Sequence, residues 1–176
     1  MDKKSFPAHN VLELLMAVFI LAAISGMTVA ADSAGYPRTI VDDANREITI
    51  EMPIEKIIPL DSSGAKMLYL LGAQDKIIAV GDDVISRGGY LPGVKEKQNL
   101  GKWHDYDYEM IGELSKDGEN MPPNIIVLCQ ANGMDPVSEI GPALEGFSNI
   151  AVIGLDTNKM ENVTHNLEKL GVVLDK

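Results

Sequence analysis

The chain is short of the residues that staple folds or carry out common chemistry. It has a single cysteine, Cys129, so no intrachain disulfide can form and the fold must rest on its core. That cysteine lies in the apolar run "NIIVLCQ" and reads as a buried thiol. Three histidines occur, of which only His104 and His165 lie beyond residue 30. There is no Cys-pair or His-pair spacing, no HExxH, no GxGxxG after a strand, no GxxxxGK[ST] and no GxSxG. A serine nucleophile needs a nearby histidine base, and His165 falls on the terminal helix, so nothing argues for an enzyme. Basic residues are scarce too. Fifteen Lys and Arg face 26 Asp and Glu, a net charge of −11 that makes a poor nucleic-acid binder. Aromatics are only 5 % of the chain, which makes one cluster of them conspicuous.

What is present begins with an export pattern. Lys3 and Lys4 form a basic head, Leu14–Ala23 an apolar run, and small residues lead to "TVAADS". Residues 1–30 read as a secretory signal peptide, with a retained membrane anchor as the alternative. No Cys stands near the cleavage site, so a bacterial-type lipid anchor is not expected. Loss of this segment removes Asp2, Lys3, Lys4 and Glu13, which sum to zero, so the exported part keeps the full charge. The expected location is the periplasmic or extracellular face of a membrane.

Residues 31–38, "ADSAGYPR", form a flexible lead-in, and 39–176 have the size of one packed domain in a chain that is 45 % hydrophobic. "RTIVDDANREITIEM" alternates apolar and polar residues around "DDAN" and predicts a β-hairpin. "KIIPL", "KIIAVG", "NIIVLCQ" and "IAVIGL" are continuous Ile/Val runs, the pattern of strands covered on both faces. "DSSGAKMLYLLG" follows the first as a helix, with Ser62 or Ser63 as N-cap and Gly72 at its end. "DPVSEIGPALEGF" supplies a short helix with Pro136 in its first turn. "KMENVTHNLEKLGVVLDK" puts Met160, Val163, Leu167, Leu170 and Leu174 on one helical stripe. The fold class is α/β: a single Rossmann-like lobe, a parallel sheet flanked by helices, with an amino-terminal β-hairpin.

Ligands of such sheets sit beyond the carboxyl ends of the strands. The loops expected there are "DSSG", "GDDVISRGGYLPG", "NLGKWHDYDYEMI" and "QANGMD". The third holds the only Trp and two of the five Tyr, interleaved with His104, Asp105, Asp107 and Glu109. In an extended segment Asp105, Asp107 and Glu109 share one face and could converge on Ca²⁺ or Mn²⁺, but a solvated acidic loop is the preferred reading. Trp103 beside Tyr106 and Tyr108 suits a large, flat, partly apolar ligand; a mini-core of Trp103 and Tyr108 under the loop is equally compatible. "DSSG" reads as a plain N-cap before it reads as an anion cradle. "NVT" at 162–164 is a glycosylation sequon, a triplet that often arises by chance.

"YPRTIVDDANREITI" followed by "EKIIPLDSSGAKMLYLLGAQDKIIAVG" resembles the amino-terminal lobe of the substrate-binding proteins that serve ABC importers of cobalamin, ferric siderophores and haem. "NLGKWHDYDYEMIGEL" and, after the insertion "SKDGENM", "PPNIIVL" continue the likeness, which covers residues 36–176. The resemblance implies a non-enzymatic binding module whose ligand, a metal chelate rather than a resident cofactor, lies in a cleft between two α/β lobes. It implies that Trp103 faces the ligand and that Glu109 docks an Arg of the membrane permease; a first-turn helix acid is the alternative for Glu109. It also implies cleft positions for Ser62, Ser63, Asp82, Asp83, Tyr90, Gln130 and Asn132. Bare Zn²⁺ or Mn²⁺ capture is not expected, since family members that do so use several His. The second lobe has no counterpart here, so a truncated product or a separate polypeptide supplying that lobe is expected. The rival expectation is a membrane-tethered interaction lobe that binds a permease or sensor without a small molecule.

Overall fold

In the computed structural model, Arg38–Val41 (β1) and Glu47–Ile50 (β2) pair antiparallel, Arg38 opposite Ile50 and Val41 opposite Glu47. The structure describes residues 35–118, 121–134, 136–157 and 159–176. The expected signal or anchor, and the lead-in up to residue 34, lie outside the described residues. The hairpin turn is built by its own acids. Asp42, 2 % exposed, accepts from the backbone N–H groups of Ala44 and Arg46 and from the Arg46 guanidinium. Both acids also reach across the domain: Asp42 accepts from Gly154 N at 3.1 Å, and Asp43 pairs with Lys169 and accepts from Asp156 N at 2.6 Å. Burial pushes the Asp43 carboxyl up, but Lys169 and the Asp156 amide outweigh it and hold the group below the usual carboxylate range.

Lys56–Pro59 (β3) leads through Asp61 into Ser62–Leu70 (α1). The N-cap is Asp61, not Ser62 or Ser63. The chain is still extended at Asp61, whose carboxylate accepts from Ser63 N and Gly64 N at 2.9 and 3.0 Å. The helix ends where Gly72 takes φ +65°: Gly72 N bonds Tyr69 O and Ala73 N bonds Leu68 O, the paired closure that favours glycine. Ala79–Val80 (β4) is shorter than "KIIAVG" suggests, because a 3₁₀ turn occupies Gln74–Lys76 just before it. The segment expected as a loop after it holds a helix, Asp82–Gly88 (α2), with Asp82 and Asp83 favourably placed in its first turn and Arg87 paired to Asp83.

Gln98–Asn99 (β5) pairs with β4, and Gly101–Lys102 (β6) with Asp105–Tyr106 (β7) makes a small hairpin before Tyr108–Ser115 (α3). Ile125–Gln130 (β8), Val137–Leu144 (α4), Ile150–Leu155 (β9) and Asn162–Leu174 (α5) complete the order. Strands β3, β8 and β9 form a parallel sheet; an Ile57–Ile77 bridge and the bond from Gly81 N to Pro59 O set β4 against β3.

Side chains of the central strands alternate between two cores. Ile57, Ile126, Leu128 and Ile153 pack with α1 and α5 on one face, while Ile58, Val127, Cys129 and Val152 pack with α3 and α4 on the other. This is the doubly covered parallel sheet that the continuous apolar runs require. The stripe expected on the last helix holds for Val163, Leu167, Leu170 and Leu174, which pack on the core, and fails only at Met160. Met160 precedes α5 and is 87 % exposed, whereas Leu170, Val173 and Leu174 are buried beside the polar Asn166. Asn166 and Asn162 face inward because both donate to Asp156 at the end of β9. Asn162, the sequon residue, is half-buried with its side-chain amide donating to Asp156.

Candidate functional site

The carboxyl ends of β3, β4 and β8 open onto a cavity of about 440 Å³. It gathers Ser62 and Ser63 from the start of α1, Asp82 and Asp83 from the start of α2, Trp103 from the β6–β7 hairpin and Gln130 from the end of β8. Six of the eight residues expected to face a ligand thus line one hollow, although their segments are separated by tens of residues. The other two do not. Tyr90 follows α2 and is 69 % exposed, and Asn132 is exposed in the turn beyond β8; neither lines the cavity.

Several lining residues carry no signal that sequence reasoning used: Asp61, Ser86, Arg87, Lys102, Met134 and Thr157. Arg87 was discoverable, since it stands four residues after Asp83, the spacing of a helical ion pair.

Trp103 owes its position to the hairpin that carries it. Gly101 has φ +90°, and a Cβ there would sit 2.5 Å from Asp105 O, so the close pairing of β6 with β7 requires glycine. His104 at the tip is also left-handed, with φ 65°. Its ring lies 4.0 Å from the Trp103 ring, and its Nδ1 is 3.5 Å from Glu139 on α4. Trp103 remains 44 % exposed, so it is not the centre of a mini-core. Tyr106 fills that role: it is buried and meets Tyr108 edge-to-face at 6.4 Å. The aromatic cluster of residues 103–108 therefore divides, two tyrosines inward and the tryptophan to the cavity.

The carboxylates of the cavity are largely spoken for. Asp83 accepts Ser62 N on one oxygen and Arg87 Nε on the other, both at 2.9 Å, and Asp82 accepts from Asn99 at 3.1 Å. Among the described residues no group of three or more His, Cys, Asp or Glu is placed to hold a metal ion. Asp107 caps α3 by accepting Met110 N at 2.8 Å, which takes it out of any shared face with Asp105 and Glu109.

Glu109 lies elsewhere. It is exposed in the first turn of α3, at the edge of a second hollow of about 480 Å³ shared with Glu113 and Phe147. The two hollows share no lining residue.

This sheet, hairpin and cavity define the fold of the periplasmic binding proteins, and the resemblance carried by the sequence holds in known relatives. No family model matches the chain. It is 24 % identical over 164 residues to an uncharacterised ABC transporter substrate-binding lipoprotein, YvrC, of Bacillus subtilis, an alignment covering 90 % of this chain and 48 % of that protein. Its fold matches the petrobactin-binding protein YclQ of Bacillus subtilis at a TM-score of 0.58 and 20 % identity, covering 80 % of this chain and 46 % of that one. It also matches the molybdate-binding protein MolA of Haemophilus influenzae at 0.61 and 17 %, covering 78 % and 46 %. The chain spans about half the length of the curated relative it matches. These relatives are named as binding proteins, not enzymes.

Proposed function

We propose that this chain is the amino-terminal lobe of an exported substrate-binding component of an ABC importer, and that its ligand is a metal chelate: a ferric siderophore, haem or a corrinoid. The observation that carries the reading is the convergence of Trp103 with Ser62, Ser63, Asp82, Asp83 and Gln130 on one cavity at the carboxyl ends of the strands. An exposed indole over a hollow lined by short polar side chains offers a flat apolar plate with hydrogen bonds around it. That is a surface for a chelate whose metal already has its ligands. We place the opposing wall of the cleft in a second lobe, since the relatives are about twice as long. We place the permease at Glu109, where an exposed carboxylate can take an arginine in a bidentate, orienting contact.

The test is a titration followed by tryptophan emission, because Trp103 is the only indole in the chain. Ferric chelates, haemin, cyanocobalamin and molybdate are added in turn. Saturable quenching by a chelate, with weaker binding of the same chelate to Trp103→Leu when heat of binding rather than emission is read, supports the reading. A response to molybdate alone would replace the chelate with a bare oxyanion.

A further inference from the structure

The pairing of charges around the cavity leaves one group unused. Asp61 spends an oxygen on two amides of α1, and Asp83 divides its two oxygens between Ser62 N and Arg87. Asp82 is held by Asn99. Arg87 is neutralised by Asp83, four residues before it. Lys102 has no hydrogen-bond or ion-pair partner for its side chain among the described residues, although the protein carries a net charge of −11 and offers surplus carboxylates. It stands next to Trp103 and is exposed at the same cavity. An ammonium left unpaired beside an aromatic plate is a recognition element for an anion attached to a flat or apolar body.

We infer that Lys102 is the specificity-determining contact of the cleft, and that the ligand carries a carboxylate or similar anionic group, received by Lys102 while its apolar part lies on Trp103. The inference rests on reading this cavity as the ligand cleft. It selects among chelates by charge: anionic species are favoured over neutral or cationic ones, although three of the five charged lining residues are acidic.

The test compares four probes on the whole chain by tryptophan emission: haemin and ferric citrate as anionic chelates, ferrichrome as a neutral one and ferrioxamine B as a cationic one. The anionic pair should bind more tightly, and Lys102→Gln should weaken them about tenfold, the loss of one charge-assisted hydrogen bond, with Lys102→Arg close to the parent. Lys102 is exposed on a two-residue strand, so the variants should keep the parent's thermal midpoint. Tighter binding of ferrichrome or ferrioxamine B, or an anionic Kd within twofold of the parent in Lys102→Gln, overturns the role of Lys102 and leaves the cleft reading standing. No saturable response to any of the four overturns the cleft reading and this inference with it.

Discussion

Replacing Asp42 by Asn tests how the hairpin is fastened to the sheet. The carboxylate has no exposed side-chain surface, while Arg46 is 36 % exposed. Its oxygens accept from Ala44 N at 3.0 Å, Arg46 N at 2.9 Å, Arg46 Nε at 3.0 Å, Arg46 Nη2 at 2.7 Å and Gly154 N at 3.1 Å. An asparagine amide presents N–H groups to either the two turn amides or the guanidinium and Gly154. In both orientations at least two donors face donors. Arg46 can turn to water, but the backbone amides cannot leave the turn or the sheet. Loss of charge-assisted bonds plus an unsatisfied buried N–H costs about 3 kcal/mol. For a domain of this size that lowers the thermal midpoint by about 10 °C. Circular dichroism melts at neutral pH, with urea unfolding as a second measure, read the effect. A change below about 1 kcal/mol would refute the view that this turn is anchored by its carboxylate.

The Asp43–Lys169 pair makes stability depend on acid. The folded carboxyl lies below its ordinary value, so its contribution is complete above about pH 4 and is lost as pH falls through the folded-state value. Lys169→Met should lower stability at pH 7 and flatten the acid limb of a stability profile; an unchanged limb contradicts the pairing. Glu109→Lys should abolish stimulation of the permease complex while leaving chelate binding and the thermal midpoint unchanged, because Glu109 has no partner among the described residues and lies outside the cavity. Loss of chelate binding in that variant would contradict the separation of the two surfaces.

Much of the scaffold was legible because burial on both faces leaves a mark that needs no three-dimensional knowledge. "KIIPL", "NIIVLCQ" and "IAVIGL" could be little but central strands, and Gly72 stands where a helix must close. Elements whose limits depend on side-chain competition were not so plain. Asp61, Ser62 and Ser63 can all cap a helix, and the choice falls to the residue that is still extended when the strand ends. The α2 segment has only Val84 and Gly88 buried, too few for a periodic signal. The last helix keeps its expected stripe from Val163 to Leu174, but it starts after Met160, and the inward turn of Asn166 to Asp156 had no apolar signal to mark it. The site behaves in the same way. The family resemblance, not residue type alone, pointed to Trp103 and the strand-end polar groups. The availability of Lys102 emerges only from what its neighbours have already paired with.

The most direct measurement of whether this cavity is the ligand cleft is an ¹H–¹⁵N map of the labelled chain titrated with a diamagnetic gallium chelate, which reports even weak binding residue by residue. The Trp103 indole and the amides of Ser62, Ser63, Asp83 and Gln130 should shift together and saturate at one Kd, with the Glu109–Phe147 surface unmoved. Shifts confined to that second surface, or none anywhere at millimolar chelate, would contradict a ligand cleft at the strand ends.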